Sequence, residues 1–300
     1  MLFEYLINGV LFGGTYSLVA IGFTIIFGVM HRLNVAHGAT IMVSAYAGAT
    51  VMLLLGGDSY PALALAFVAS IAAGAALGWL VELVAFRPLR GASYLAPFAT
   101  TVGVTIVLEE VFLQLGRAVP IFYPEYTPFP SPLENLGFLL GDYYVRGVYL
   151  VSFVVAVLLM LALHAWVTRS RTGRAMRVVE ENVEVAKLMG IDVRRTEVVA
   201  FVVASGLAGA AGCLIGASTG AVSPFLGVHL LLISFVVVVI GGLGNLYGAM
   251  IGGIIVGAVE TTAVGLISAS YKQAVLFAVL FAVLILRPEG ILSRRTEGRD

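Results

Sequence analysis

Residues 6–30 read LINGVLFGGTYSLVAIGFTIIFGVM, 25 consecutive positions without a formal charge. About 20 predominantly apolar residues suffice for a helix to cross the hydrocarbon core of a bilayer. The run is too long for the core of a signal peptide, and Glu4 stands where basic residues would be expected. It is therefore expected to be a retained transmembrane helix. Working outward, similar apolar stretches cover about 38–55, 62–86, 96–115, 146–167, 198–217, 226–240, 246–264 and 272–286. With the first, at about 6–29, they make nine candidate spans. The seventh and eighth are short or interrupted by glycine, so eight full crossings plus a re-entrant piece is the other reading.

Composition points the same way. The 300 residues are 60% hydrophobic and 11% charged, with a mean hydropathy of +1.03. An ordinary soluble domain carries about 25% charged residues. The runs do not alternate as β-barrel strands would. The expected fold class is all-α: a polytopic transmembrane helical bundle of eight or nine spans, a single domain over residues 1–300. Formal net charge is zero, which gives no sign of a nucleic-acid partner. The lone Cys213 sits in an apolar run, allows no intramolecular disulfide, and reads as a small buried hydrophobe.

Lys and Arg set the expected orientation. If all nine spans cross and residues 168–197 are cytoplasmic, 14 of the 17 Lys and Arg fall inside. Only Arg117, Arg146 and Lys272 stay outside. The N-terminus is then outside and the C-terminus cytoplasmic. The longest outside segment, about 116–145, carries Pro120, Pro124, Pro128, Pro130 and Pro132, which rules out a regular helix across 120–132. A loop of that length between otherwise terse connections suggests a binding loop.

Residues 168–197 hold 12 of the 34 charged side chains in a tenth of the length. Within them, 173–190 has helical periodicity: Met176, Val179, Val183 and Ala186 form an apolar stripe, with Arg177, Glu181 and Glu184 facing elsewhere. Gly190, followed by Ile191 and Asp192, is a stop signal. Five acidic residues suit an anionic lipid surface poorly. The stripe is expected to enter a groove on a cytoplasmic protein.

Ionisable residues inside spans are functional candidates by default. Glu82 lies near the inner end of the third span and is expected to snorkel to the interface. Glu109 and Glu110 lie near the outer end of the fourth, and Glu260 is deeper. His31, Asn34 and His37 cluster between the first two spans, where the chain is either a cytoplasmic turn or a break within the membrane. Two histidines without a carboxylate do not make a metal site. His164 and His229 are lone residues in apolar surroundings and read as structural. Gly216-Ala217-Ser218-Thr219-Gly220 imitates a nucleophile elbow but ends a membrane helix in a run of small residues. Gly242-Leu243-Gly244 lacks the context of a dinucleotide site. Glycines at Gly244, Gly248, Gly252 and Gly257, at Gly212/Gly216/Gly220, Gly9/Gly13 and Gly74/Gly78, share helix faces and are expected to serve close helix packing.

The chain resembles the permease subunits of ATP-binding-cassette importers for branched-chain amino acids, specifically the first of the two permeases, nearly from end to end. The markers, in order, are RLNVAHG (32–38), FRPLRG (86–91), TGRAMR (172–177), AKLMGI (186–191), GGLGN (241–245) with GAMIGG (248–253), and LRPEGI (286–291). Val35 departs from the aromatic commoner at its position. The resemblance implies a heteromeric importer in a bacterial or archaeal plasma (inner) membrane, with a second permease subunit, two ATPase subunits and a periplasmic solute-binding protein. It implies no cofactor and no enzyme activity of the chain itself, which lacks a Walker A sequence. It places coupling to the ATPases in the 172–191 region, with Gly173, Arg174, Met176, Arg177, Glu181, Ala186, Leu188 and Gly190 as candidates. For an amino acid solute, Asn34, His37, Thr101, Thr105 and Glu260 are the polar candidates for the path. A permease for urea or short amides, or an ion-coupled secondary transporter, are the alternatives.

Overall fold

The computed structural model describes residues 2–57, 59–119, 121–122, 125–134, 136–140, 143–287 and 290–292. Asp58, Pro120, Pro124, Asp142, Pro288, Glu289 and the tail from 293, with Arg294, Arg295 and Arg299, lie outside the described residues. The elements run α1 (Leu2–Met30), α2 (Ala36–Leu54), α3 (Tyr60–Val81), a π turn (Glu82–Phe86), a 3-10 turn (Arg87–Leu89) and α4 (Leu95–Ala118). Then follow β1 (Thr127–Pro128), β2 (Gly137–Leu140), β3 (Tyr143–Arg146), α5 (Gly147–Arg169), α6 (Arg171–Glu181), α7 (Val183–Leu188) and α8 (Val193–Thr219). β4 (Ala221–Val222), α9 (Leu226–Gly241), α10 (Leu246–Leu266), a 3-10 turn (Ala269–Tyr271) and α11 (Lys272–Leu286) complete the chain. Among the described residues, eight helices are long and apolar enough to cross a membrane, and α9 is shorter at 16 residues. The eighth sequence stretch is an unbroken helix of 21 residues, because its glycines lie on a packed face instead of opening a turn.

α1 is the axis of the bundle and is buried along most of its length. Its small residues explain this: Gly9 and Gly13 let its backbone lie directly on Gly253–Ala258 of α10. Ser17 closes the seam by donating to the Met250 carbonyl at 2.6 Å. α3 and α8 meet in the same way, Gly74 and Gly78 against Ser205 and Gly209 against Ser70, while Gly212 abuts Ile41 and Ala45 of α2. Gly248 meets Gly241, and Gly252 meets the Val237 carbonyl. Gly244 is a correction to the packing stripe. It sits in the α9–α10 turn with φ +80°, a left-handed backbone that glycine adopts at no steric cost. Gly220 likewise ends α8 in the left-handed region, at φ +74°. α4 and α11 leave long apolar faces uncovered.

Contacts sort the connections into two ends. At one end, Arg32 bonds the carbonyls of Leu89, Arg90 and Ala92, Glu180 lies over Gly28 and Gly244, and Asn245 Nδ2 donates to Leu292 O at 2.5 Å. At the other, β1 pairs antiparallel with β4, β2 and β3 form a hairpin, and Phe129 is fully buried against Gly48 and Gly216.

The segment between α1 and α2 is a break inside the bundle. His37 Nε2 sits 3.1 Å from the Val19 carbonyl, eleven residues before the end of α1, which is about 16 Å along a helix axis. From Arg32 the chain climbs back beside α1 without helical structure, and α2 starts only at Ala36. His31 takes φ +51° at the reversal.

Candidate functional site

Four of the five polar candidates for a path gather at this break. The amide of Val35 donates to Thr101 Oγ1 at 3.3 Å, and Thr105 Oγ1 donates to the Thr101 carbonyl one turn along α4. Asn34, His37, Thr101 and Thr105 are all buried. A ring nitrogen facing a carbonyl must carry the proton, so His37 Nε2 donates and Nδ1 is left as an acceptor. Among the described residues, His37 Nδ1 and Asn34 Oδ1 have no hydrogen-bond partner. Two buried acceptors without donors are costly and mark a place that a donor group would stabilise.

Glu260 belongs to a different group. Tyr16 donates to Glu260 Oε1 at 3.0 Å, and Lys272 Nζ forms an ion pair with the same oxygen. Helices α1, α10 and α11 are thereby joined through one carboxylate. His164 bonds Tyr247 through Nδ1 at 3.2 Å, and His229 lines a small apolar cleft with Gln273 and Phe277. Among the described residues no cluster of three or more His, Cys, Asp or Glu could hold a metal ion.

The charged island is two helices, not one. Asn182 takes extended φ −160°, ψ 113°, and its Oδ1 accepts from the amides of Glu184 and Val185 at 2.9 and 3.1 Å. The side chain competes for the backbone and caps α7, which ends α6 at Glu181. Ser170 caps α6 through the Gly173 amide. The apolar stripe does not face outward either: Met176, Val179 and Ala186 are buried within this chain. Helical spacing specifies an apolar face without specifying which body covers it, and here the bundle covers it. Gly173 is pressed against the backbone of Trp166 and Val167, and Arg177 donates to the Thr168 carbonyl at 3.3 Å. Arg174 and Glu181 are exposed, and Gly190 turns the chain at φ +75°. What α7 presents is a second apolar face: Val185, Leu188 and Met189 are 45%, 87% and 66% exposed.

Glu180 lies on the inner side of α6, its carboxylate packed over Gly28 and Gly244. Burial pushes its carboxyl up from the ordinary 4.5. A raised carboxyl contributes stability that is full below its ordinary pKa and lost as pH rises through the raised one. Glu180→Gln is therefore expected to be more thermostable than the parent at pH 8 and indistinguishable from it near pH 4. Unfolding curves at the two pH values check this, and a constant difference would contradict it.

A cluster that sequence reading missed lies beside the island. Arg90 Nη2 donates to Glu82 Oε1 at 2.8 Å and stands 2.7 Å from Glu197 Oε2 in α8. Glu82 does not snorkel; its side chain is 1% exposed because Arg90 reaches in to it. The π turn Glu82–Phe86 precedes Pro88, whose ring and missing amide forbid a regular helix there. The one sequence signal was an acid, two arginines and a proline within nine residues.

The family described as "Branched-chain amino acid transport system / permease component" matches residues 5–284. BraD of Pseudomonas aeruginosa, a high-affinity branched-chain amino acid transport system permease protein, is 34% identical over 97% of this chain and 95% of its own length. LivH of Escherichia coli K12, of the same description, is 34% identical with the same coverage. A probable branched-chain amino acid transport permease of Methanocaldococcus jannaschii is 28% identical over 95% of this chain and 90% of its own. No solved structure matches. Eight membrane-length helices around a glycine-packed axis, matched almost end to end by these permeases, show that the chain belongs to the family of branched-chain amino acid transport permeases.

Proposed function

We propose that this protein is the membrane-spanning permease subunit of an ATP-binding-cassette importer, moving a branched-chain amino acid across the plasma membrane. A second permease would complete the path, two ATPase subunits would drive it, and a periplasmic binding protein would deliver the solute. The observation that carries the reading is the uncovered Val185–Leu188–Met189 face of α7, set among the exposed charges of Glu184, Lys187 and Asp192. A short helix held on the bundle by one apolar face and offering another fits a groove on a cytoplasmic ATPase. The island end of the bundle is then cytoplasmic and the Phe129 end periplasmic. Arg174, Arg177 and Glu181 would form the rim of that contact; Gly173, Met176, Ala186 and Gly190 shape the helices from behind.

The break at Asn34–His37 is the proposed contact point for the solute. An ammonium group supplies the donors that Asn34 Oδ1 and His37 Nδ1 lack, and Thr101 and Thr105 line the same side. Glu260, already paired with Lys272 and Tyr16, is better suited to tying helices together than to holding a coupling cation.

The test is uptake of labelled leucine into proteoliposomes carrying the whole complex with its binding protein. Uptake that requires internal-face ATP supports the proposal. Uptake driven by an ion gradient without ATP would overturn it, and exclusive competition by short amides would reassign the solute. Leu188→Asp is expected to weaken ATPase association by roughly thirtyfold. Exposing one leucine's worth of burial costs about 2 kcal/mol, and 1.4 kcal/mol is tenfold. Co-purification in detergent measures it; an unchanged yield of bound ATPase would remove α7 from the contact.

A further inference from the structure

We propose that Arg90 is a positioning residue for transport, a clamp that links the coupling helices to the break between α1 and α2. The inference rests on the ATP-driven reading above. The chain of contacts starts at α7. Its end is a tight corner: the Ile191 amide bonds the Ala186 carbonyl at 3.0 Å, and Asp192 Oδ1 accepts from the Arg195 amide at 3.0 Å. That corner leads straight into the first turns of α8, where Glu197 stands 2.7 Å from Arg90. Arg90 in turn holds Glu82 at the end of α3. The backbone on either side of Arg90 is gripped by Arg32, whose guanidinium donates to the carbonyls of Leu89 at 3.0 Å, Arg90 at 3.2 Å and Ala92 at 3.5 Å. Arg32 is two residues before Asn34, at the foot of the break. A displacement of α7 thus reaches the proposed solute contact through two arginines and no long lever.

The electrostatics favour a switch over a passive brace. One guanidinium faces two carboxylates whose side chains are 1% and 14% exposed, so neither carboxylate can turn to water for compensation. A guanidinium presents five donors in a fixed fork and can serve both at once, which a lysine ammonium reproduces poorly. Arg90 Nε is buried and, among the described residues, has no acceptor. It offers Glu197 a second seat on the same fork. Moving Glu197 from Nη2 to Nε as α8 shifts exchanges one charge-assisted contact for another, which gives the clamp two discrete arrangements.

The test uses the complete transporter in proteoliposomes, with ATP hydrolysis and leucine uptake measured on the same vesicles. Glu197→Gln is expected to keep the ATPases bound and hydrolysis within about twofold of the parent, while uptake per ATP falls at least tenfold. Glu197→Asp, which keeps the charge, is expected to recover part of that ratio. Arg32→Gln, acting on the other arm, is expected to lower the ratio in the same direction. A purely structural role predicts that yield, hydrolysis and uptake fall together at a constant ratio, and that result would overturn the clamp. If Glu197→Gln does not assemble, the ratios for Glu197→Asp and Arg32→Gln decide alone. Failure of the parent complex to take up leucine with ATP would count against the transport reading itself, whereas a transporting parent with unaltered variant ratios would refute only the clamp.

Discussion

Gly257→Leu is expected to leave almost no monodisperse protein after detergent extraction, while Gly103→Leu extracts like the parent. The difference lies in what each α-carbon faces. At Gly257 an added Cβ would meet the Gly13 backbone and stand 2.6 Å from the Gly9 carbonyl, so main chain lies on main chain and nothing can rotate aside. At Gly103, on α4, nothing lies within 4 Å. Inserting methylenes into a packed core costs about 1–3 kcal/mol where side chains can adjust, and more where they cannot. Even Gly257→Ala is expected to cost about 2 kcal/mol. Gly103→Ala, by contrast, should gain up to about 1 kcal/mol from helix propensity. Fluorescence-detected size exclusion with a thermal ramp resolves the order. Equal behaviour of the two leucine variants would mean that α1 and α10 are not in backbone contact.

The second large effect is expected from Lys272→Met. It strips the counter-ion from Glu260, whose side chain is 6% exposed and, among the described residues, keeps only the Tyr16 hydroxyl. Removing one partner of a buried pair costs about 3–5 kcal/mol, because the other charge stays behind unpaired. Lys272 retains 27% exposure, which sets the expectation at the lower end, about 3 kcal/mol. The double variant Lys272→Met/Glu260→Gln should recover most of that loss, since a neutral amide no longer needs the ammonium. Thermal unfolding of the four proteins of the cycle gives the coupling directly. A double variant no better than Lys272→Met would show that Lys272 stabilises the protein through something other than Glu260.

Much of the architecture is legible in the sequence because hydropathy is a local property. Each span is its own signal, and the helix ends fall within a few residues of the apolar limits. The features left open are those decided by distant residues. Whether 31–38 turned in water or climbed through the bundle depends on Val19 and Thr101, 18 residues before His37 and 66 after Val35. Asn182 is the local exception: it sits in a helical pattern that tolerates it, and its own carboxamide decides that the helix ends there. The stripe of Met176, Val179 and Ala186 was read by period, and a period does not name the body that covers it. Glu82 looked like a residue near an interface because Arg90, which buries it, is itself held by Glu197, 107 positions further along the chain. Charges that meet across a fold leave no spacing rule in the chain.

The closeness of α1 to α10 also sets a timetable. At about 5–20 residues per second, the 215 residues between the end of α1 and the start of α10 take roughly 10–40 s to synthesise. Through that interval α1 keeps its glycine groove, Ser17 and the Tyr16 hydroxyl without their final neighbours. The nascent protein must therefore be shielded at the insertion machinery, or by its own transient pairings, until α10 arrives. Chains interrupted before residue 246 would carry an open seam along the very helix on which everything else is hung, a defect that membrane quality control could read.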